Sequence, residues 1–299
     1  MAGIFDIGDL NKREKLLSKL EEINEYDGLL LIDTIINKYY DEKFIKDIIY
    51  HLSKNKKKYT YKIIDHIISK TSFNYKSNID IIGTISHSSA KFGNINLIKY
   101  LIKNKLFTNE NNKSGENAFV ISIDQAEFNS SFDTVKLLFN SGYFDINSKN
   151  KYGFTPLMYA INSSYYDMDY YNEIIRFLLE NGANVNLQNN SGATPLLEFL
   201  DRNVGPFPIN SKQVEYIIDT VKLLLEYGAD INLTENIQGL TPLMVASTYC
   251  FDDKDNKMNV IKFLLDNGAD IYIKDKQGYD IFNNISGECE NFIKKYKNL

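Results

Sequence analysis

The sequence predicts an all-α solenoid, in which stacked helix pairs are joined by short hairpin-like turns and closed by a helical cap at the N-terminal end. Two sets of glycines recur along the 299 residues. The first set, at steps of 38, 39, 47 and 39 residues, is Gly115, Gly153, Gly192, Gly239 and Gly278. The second set, at steps of 40, 46 and 40 residues, is Gly142, Gly182, Gly228 and Gly268. Because two independent markers keep the same period, the chain is built from repeated structural units.

The residues around each marker predict where helices begin and end. In "GFTPLMYA", which begins at Gly153, Thr155 can cap a helix and Pro156 can occupy its first position, where a missing N–H costs nothing. In "LLENGANVN", Gly182 follows an amphipathic segment and suits a left-handed helix end, which glycine adopts without a steric penalty. The repeated unit is therefore a helix, a connection, a second helix, a glycine stop and a polar turn.

These phrases resemble the ankyrin repeat family, whose motif runs Gly-x-Thr-Pro-Leu-His-x-Ala and later Leu-Leu-x-x-Gly-Ala-Asp-x-Asn. The match is specific at 153–186, 192–232 and 239–270, is weaker at 115–147, and extends over about residues 80–299. The resemblance predicts repeats near 82–113, 115–151, 153–190, 192–237 and 239–276, with a C-terminal cap at 278–299.

The chain departs from the family pattern in two ways. His87 stands at the motif histidine of its repeat, whereas Met158, Leu197 and Met244 replace that histidine later. The resemblance implies that the histidine ties the turn of its repeat by hydrogen bonding, so the other three repeats must depend more on packing. The steps also exceed the family period of about 33 residues. The extra residues are inserted between the two helices of a repeat, in a surface connection where added length costs little entropy.

Residues 1–79 lack both markers but still have helical patterns. Apolar residues at helical spacing predict helices over about 10–22, 29–39, 43–52 and 61–70. Two interpretations are open: degenerate repeats with a capping helix, or a separate helical domain. Either one covers the exposed end of the array, which a solenoid requires.

Composition and charge restrict the class of protein. The net charge is −5, and it divides into +4 over residues 1–110 and −9 over residues 111–299. An acidic array repels a phosphate backbone, so we expect no nucleic-acid partner. The basic run "KNKKKYTYK" at 54–62 is typical of a solvated loop between helices.

Three features of the sequence bear on the cellular location of the protein. The longest apolar stretch, 28–36, is too short to span a bilayer and contains Asp33. Cys250 and Cys289 are the only cysteines and lie far apart, which fits a reducing compartment. The first residues lack the pattern of a secretory signal. We therefore expect a cytoplasmic monomer without a membrane span; delivery into a host cell by a signal-independent route is the alternative location.

The sequence contains no pattern of a catalytic or metal site. The histidines, His51, His66 and His87, have no spacing that places two of them on one helical face. A phosphate-binding glycine loop and a nucleophile elbow are both missing from the sequence. The run "DDKDN" from Asp252 lacks the glycine and distal glutamate of a calcium loop. We therefore predict no enzyme, no cofactor and no metal.

The resemblance implies a protein-binding scaffold. In the family, the hairpin turns and first helices form a concave surface that binds other proteins, and rigid display limits the entropy lost on binding. Carried over by position, the surface comprises Lys151, Tyr152, Phe154, Tyr159, Asn190, Ser191, Ala193, Glu198, Ile237, Gln238, Leu240, Val245, Lys276, Gln277 and Tyr279.

Two alternative functions remain open at this point. The first is an adaptor or inhibitor that blocks an enzyme through a ridge formed by the three insertions. The predicted ridge consists of Tyr165, Tyr166, Tyr170, Tyr171, Val204, Pro206, Phe207, Pro208, Tyr249 and Phe251. The second is an enzyme built in the N-terminal helices around His51 or His66.

Overall fold

The computed structural model describes residues 10–22, 24–38, 42–57, 60–70, 79–124, 131–163, 168–204, 209–248, 256–285 and 287–297. Within these ranges the regular secondary structure is helical, as the sequence predicts. The chain divides into two compact units, Met1–Phe144 (unit 1) and Asp145–Leu299 (unit 2). No helix in the described ranges is long and apolar enough to cross a lipid bilayer.

Unit 1 consists of stacked helix pairs. Its helices are α1 (Leu10–Glu22), α2 (Glu25–Lys38), α3 (Glu42–Lys54), α4 (Thr60–Lys70), α5 (Ile79–Lys91), α6 (Ile95–Lys103), α7 (Ala118–Asp124) and α8 (Phe132–Asn140). The first helices of successive pairs pack in the order α1, α3, α5 and α7, and the second helices α2, α4 and α6 pack in a parallel row. This alternation is the pattern expected of repeats. The assignment of residues 1–79 to degenerate repeats stays a prediction.

The start of α2 differs from the prediction. The sequence pattern places it near residue 29, but the helix begins at Glu25 and includes Gly28. The Asn24 side chain caps this end, because its Oδ1 accepts the backbone N–H of Asp27 at 2.9 Å and its Nδ2 donates to the Asp27 carboxylate at 2.7 Å. A good cap thus compensates for the low helix propensity of an interior glycine.

Unit 2 contains four further pairs with the same alternation. Its helices are α9 (Pro156–Ser163), α10 (Met168–Glu180), α11 (Pro195–Asn203), α12 (Ser211–Glu226), α13 (Pro242–Ser247), α14 (Asn256–Asp266), α15 (Ile281–Asn284) and α16 (Gly287–Lys297). The first helices α9, α11, α13 and α15 contact one another in order, as do the second helices α10, α12 and α14. Leu157, Leu196 and Leu243 hold the same position in three of these first helices and are all buried.

The predicted helix start at Thr155 is confirmed, because its hydroxyl oxygen accepts the backbone N–H of Met158 at 3.3 Å. The Thr-Pro pairs of the next two repeats act in the same way. The Thr194 hydroxyl oxygen accepts the backbone N–H of Leu197 at 3.2 Å, and the Thr241 hydroxyl accepts that of Met244 at 3.2 Å. A proline follows each cap at the first helical position. Each cap therefore satisfies a backbone donor that the helix itself leaves unpaired.

The predicted glycine stops are confirmed as well. Gly182 has a φ of +92°, in the left-handed region that favours glycine. Its N–H donates to the Leu179 carbonyl at 3.1 Å, and the following Ala183 N–H donates to the Leu178 carbonyl at 3.0 Å. These two bonds form a Schellman end, which closes α10 and turns the chain toward the next hairpin.

The motif histidine of unit 1 ties its repeat to the following turn, as the resemblance implies. The His87 Nε2 lies 2.9 Å from the Glu110 carbonyl oxygen. Burial lowers the pKa of His87 below its usual value, and the opposing effect of the Glu110 carbonyl is smaller. In unit 2 the replacing residues Met158, Leu197 and Met244 are all buried, so packing takes the place of the hydrogen bond there.

Stability should fall on acidification because of His87. Its folded-state pKa lies below the usual 6.5, so below pH 6.5 the unfolded chain binds more protons than the folded chain. The free energy of unfolding of the wild type, minus that of His87→Gln, should therefore decrease as the pH falls from 7.5 to 5. Urea unfolding at several pH values measures this difference, and an increase on acidification would contradict the lowered pKa.

Candidate protein-interaction surface

Each hairpin tip of unit 2 is closed by one polar side chain. In the first tip, the Asn150 Oδ1 accepts the backbone N–H of Tyr152 at 2.8 Å and that of Phe154 at 2.9 Å. The same pair of bonds, at 2.8 to 3.0 Å, runs to Asn189 from Ser191 and Ala193 and to Asp275 from Gln277 and Tyr279. Side chains of this type hold a turn by accepting nearby backbone donors. The tips are therefore defined turns.

The third tip is one residue longer and uses a longer side chain. Glu235 takes the place of Asn or Asp, and its carboxylate accepts the backbone N–H groups of Ile237, Gln238 and Leu240. The extra methylene group spans the extra residue. Burial raises the pKa of Glu235, but the backbone donors outweigh burial, so that the pKa lies below its usual value. Glu235 is therefore ionised at neutral pH.

Backbone hydrogen bonds join each tip of unit 2 to the next. The Asn190 N–H donates to the Tyr152 carbonyl at 3.0 Å, the Asn236 N–H to the Ser191 carbonyl at 2.8 Å, and the Lys276 N–H to the Gln238 carbonyl at 2.8 Å. The Asn190 side chain adds a bond of 2.9 Å to the Lys151 carbonyl. The four tips thus form a continuous row, which we call the tip row: residues 150–154, 189–193, 235–240 and 275–279.

The glycines of the tips are required by this close approach. A Cβ atom on Gly153 would lie 2.6 Å from the Asn190 backbone nitrogen, and one on Gly192 would lie 2.4 Å from that of Asn236. Both glycines also have φ above +80°. They therefore permit the turn itself and the hydrogen bond to the next tip.

Asparagine side chains form a second series of hydrogen bonds between the repeats of unit 2. The Asn186 Nδ2 donates to the Gly228 carbonyl at 2.8 Å, and its Oδ1 accepts the Asp230 N–H at 2.8 Å. Asn147 and Asn232 bridge to their next repeats in the same way. Asn186 and Asn232 end the repeated phrase "GAxxN", and Asn147 ends "GYFDIN"; no role was predicted for them. Their recurrence four or five residues after the stop glycines Gly142, Gly182 and Gly228 was the signal that could have found them.

The predicted surface residues divide into exposed and supporting groups. Tyr152, Ile237 and Tyr279 are 56%, 68% and 45% exposed, and all three stand on the tip row. Phe154 and Tyr159 are half-buried and pack edge to face with ring centroids 6.1 Å apart. Lys151, Asn190, Gln238, Lys276 and Gln277 are exposed around the apolar tip residues.

A pocket of about 370 Å³ lies between α11 and α13 and two neighbouring tips. Seven of the predicted residues line it: Ser191, Ala193, Glu198, Ile237, Gln238, Leu240 and Val245. Four other lining residues were not predicted from the sequence: Leu197, Asp201, Glu235 and Thr248. Asp201 and Thr248 follow Glu198 and Val245 by three residues. Helical spacing from the predicted residues could therefore have found them.

Glu198 is a half-buried carboxylate in the wall of this pocket. It accepts a hydrogen bond from the Asn189 Nδ2 at 2.6 Å. Burial raises the pKa of Glu198 above its usual value, and the charge of Asp201 adds to that effect. Hydrogen bonds from Asn189 and Asn162 and the charge of Arg202 lower the pKa to a smaller extent. The carboxylate is thus held in place and partly shielded from water.

The predicted aromatic ridge lies mostly outside the described residues. Of its ten members, Tyr165, Tyr166, Pro206, Phe207, Pro208, Tyr249 and Phe251 lie there. Among the described members, Tyr171 and Val204 are buried, and Tyr170 packs edge to face on Tyr171 with ring centroids 5.7 Å apart. The described part of the ridge therefore supports the fold and offers little surface to a partner.

His66 of the N-terminal helices is bonded to a neighbouring helix. The His66 Nε2 lies 2.7 Å from the Asp33 carboxylate, which joins α4 to α2. Within the part of the chain that the structure describes, no group of three or more His, Cys, Asp and Glu side chains could hold a metal ion.

Comparison with known families agrees with this architecture. The family model "Ankyrin repeats (3 copies)" matches residues 86–189 and 169–275. The chain belongs to the ankyrin repeat family. Ankyrin repeats are protein-interaction modules, so the family supports a binding scaffold and is typically not catalytic.

Two known proteins show how far the similarity extends. The crystal structure of the ankyrin repeat domain of Bcl-3, described as a unique member of the IkappaB protein family, superposes with a TM-score of 0.60. The superposition covers 82% of this chain and 97% of that one at 16% identity, which shows a shared fold. Alpha-latrocrustotoxin-Lt1a of Latrodectus tredecimguttatus is 26% identical over 135 residues, or 45% of this chain. The aligned part is only 9% of the toxin's own length.

Substitution of Gly192 should show how much the contact between tips contributes to stability. Gly192 and Gly228 both have φ of +83°, so alanine at either position costs about 1–2 kcal/mol of unfolding free energy through the left-handed backbone. Only at Gly192 would the Cβ meet the next tip, at 2.4 Å from Asn236. Gly192→Ala should therefore lose roughly 1–3 kcal/mol more than Gly228→Ala. Equal losses in urea unfolding would show that the tip contact does not constrain position 192.

The Glu198→Gln variant should be at least as stable as the wild type at pH 7. Glutamine keeps an acceptor for Asn189 and removes a partly desolvated charge. The folded-state pKa of Glu198 is raised above 4.5, so above pH 4.5 the folded chain binds more protons than the unfolded chain and stability falls as the pH rises. The unfolding free energy of Glu198→Gln minus that of the wild type should therefore grow from pH 4 to pH 7. A difference that shrinks over this range would contradict the raised pKa.

Proposed function

We propose that the protein binds another protein along the tip row and the adjoining first helices of unit 2. The observation that carries this proposal is the series of exposed apolar side chains on tips that backbone hydrogen bonds hold together. Tyr152, Ile237 and Tyr279 are each at least 45% exposed, although their own backbones are fixed by turn bonds. Exposed apolar side chains with a polar surround are typical of interaction surfaces.

The rigid backbone of the tips favours affinity. A loop that must be ordered on binding loses conformational entropy, and that loss subtracts from the binding free energy. The turn bonds and the bonds between tips have already ordered this backbone. The side-chain conformations are therefore the main freedom that a partner would still remove. Tyrosine is also among the residue types that dominate interface energies.

The polar members of the predicted surface would form its rim. Lys151, Lys276 and Gln277 are exposed beside the apolar tip residues. Rim charges affect the rate and specificity of association more than its free energy. Phe154 and Tyr159 would mainly support the first tip, because the Tyr159 hydroxyl accepts the Asn150 side-chain N–H at 2.7 Å.

We further propose that residues 1–79 cap the array as degenerate repeats. The contacts of α1 with α3 and of α3 with α5 continue the order of first helices within unit 1. A stack of this kind needs an end whose outer face meets water. The cytoplasmic location and the monomeric state stay predictions, and no described residue favours the inhibitor or enzyme alternatives.

Loss of the exposed tip residues should weaken partner binding without unfolding the protein. The double variant Tyr152→Ala/Ile237→Ala removes the two most exposed apolar residues of the tip row and should weaken binding by about tenfold or more. The control Tyr227→Ala/Tyr272→Ala removes exposed tyrosines that follow the second helices α12 and α14. All four positions are at least 40% exposed, so both variants should keep the wild-type unfolding free energy within about 0.5 kcal/mol.

Crosslinking and affinity capture from the native cell, followed by quantitative mass spectrometry, compare the partners of the wild type and both variants. The proposal expects the tip variant to lose a partner that the control retains. If the tip variant retains every partner of the wild type, or if the control loses the same partner, the tip row is not the binding surface.

A further inference from the structure

We propose that the pocket between α11 and α13 receives a lysine or arginine side chain of the bound protein. This inference rests on the proposed function and specifies what one part of the surface recognises. It follows from the described residues that line the pocket. Leu240 and Val245 form its apolar wall, Glu198 and Asp201 of α11 form its charged wall, and Glu235 adds a carboxylate from the third tip; no lysine or arginine is among these described residues.

The apolar wall suits the carbon chain of a long basic residue. Leu240, Val245 and the exposed Ile237 line the pocket. Lysine and arginine bury their methylene groups against apolar surface while the charged end stays near polar groups. A short polar side chain would leave this wall uncovered, and an acidic side chain would meet like charge.

The charged wall offers carboxylates at different depths. Glu198 and Asp201 stand one helical turn apart on α11; Glu198 is half-buried and Asp201 is exposed. Glu235 faces them from the third tip, but its oxygens are bonded to the backbone of its own turn. Glu235 therefore mainly adds negative charge. Among the described residues, Glu198 accepts hydrogen bonds only from the side chains of Asn189 and Asn162, whereas a carboxylate can accept about four. Glu198 and the exposed Asp201 are therefore the acceptors that a guanidinium or ammonium group would reach.

The fold does not require a carboxylate at position 198. The corresponding first-helix positions of the neighbouring repeats are Tyr159 and Val245. The Tyr159 hydroxyl accepts a hydrogen bond from Asn150 of its tip, as Glu198 does from Asn189. The Val245 side chain can form no hydrogen bond. A partly buried carboxylate costs free energy that these residues avoid. A cation bound beside it would offset that cost, which accounts for a charged residue that the architecture does not need.

The net negative charge of unit 2 also favours a basic partner segment. Residues 145–299 contain 14 Lys and Arg against 21 Asp and Glu. A positively charged segment would therefore be attracted before contact, with a rate that falls as salt is added. Arg202 is the described basic residue whose charge lowers the pKa of Glu198. It lies on the next turn of the same helix and outside the residues that line the pocket.

Selection of peptides from a random library displayed on phage tests this inference on the full chain. The wild type should enrich peptides with a lysine or arginine at one fixed position of the selected motif. Replacing that residue by norleucine should weaken binding by about tenfold or more, as expected for a lost hydrogen bond to a charged group. Glu198→Gln, which keeps the size of the side chain, and Asp201→Asn should each reduce the affinity for the basic peptide and leave that for the norleucine peptide unchanged.

The outcomes separate this inference from the proposed function. Peptides that lack a fixed basic residue, or basic peptides whose affinity the two variants do not change, would overturn the inference. Failure to enrich any peptide would also overturn it, because a pocket for one side chain should accept that residue in a short segment. In each case the comparison of tip and control variants decides the proposed function independently, since it uses neither Glu198 nor Asp201.

Discussion

The backbone hydrogen bond from each hairpin tip to the next is the interaction on which the surface of unit 2 depends. It fixes the tips at a distance where a Cβ on Gly192 would approach the Asn236 nitrogen to 2.4 Å. Glycine is therefore needed both for the turn and for the contact. The polar side chain that closes each turn also holds the tip in place, because it accepts backbone N–H groups of its own turn. Together these bonds allow large apolar side chains to be exposed on an ordered backbone.

The chemistry of the surface comes from residues that depart from the repeat pattern. Glu235 replaces the Asn or Asp of other tips, and its longer side chain closes a turn that contains one more residue. Glu198 stands where neighbouring repeats have Tyr159 and Val245. Each departure brings a carboxylate to one pocket. The constant residues thus build the scaffold, and the variable residues set the chemistry of its surface.

The repeat pattern predicted the architecture because its markers act locally. Thr-Pro phrases and glycine stops fix helix ends through bonds to residues a few positions away, and the structure confirms them at Thr194, Thr241 and Gly182. Features that depend on contacts between repeats could not be predicted in this way. The bonds between tips need the three-dimensional stacking. The predicted start of α2 near residue 29 was wrong, because the cap at Asn24 lets the helix begin at Glu25 and run through Gly28.

Amide hydrogen exchange at the tips tests the central claim most directly. The residues Asn190, Asn236 and Lys276 are exposed, but their amides donate to the preceding tip. If these bonds hold the tip row together, the three amides should exchange far more slowly than amides in an unstructured peptide of the same sequence, and Gly192→Ala should accelerate exchange at Asn236. Exchange at the unstructured rate in the wild type would show that the tips are not held by their neighbours, and the account of a rigid binding surface would be wrong.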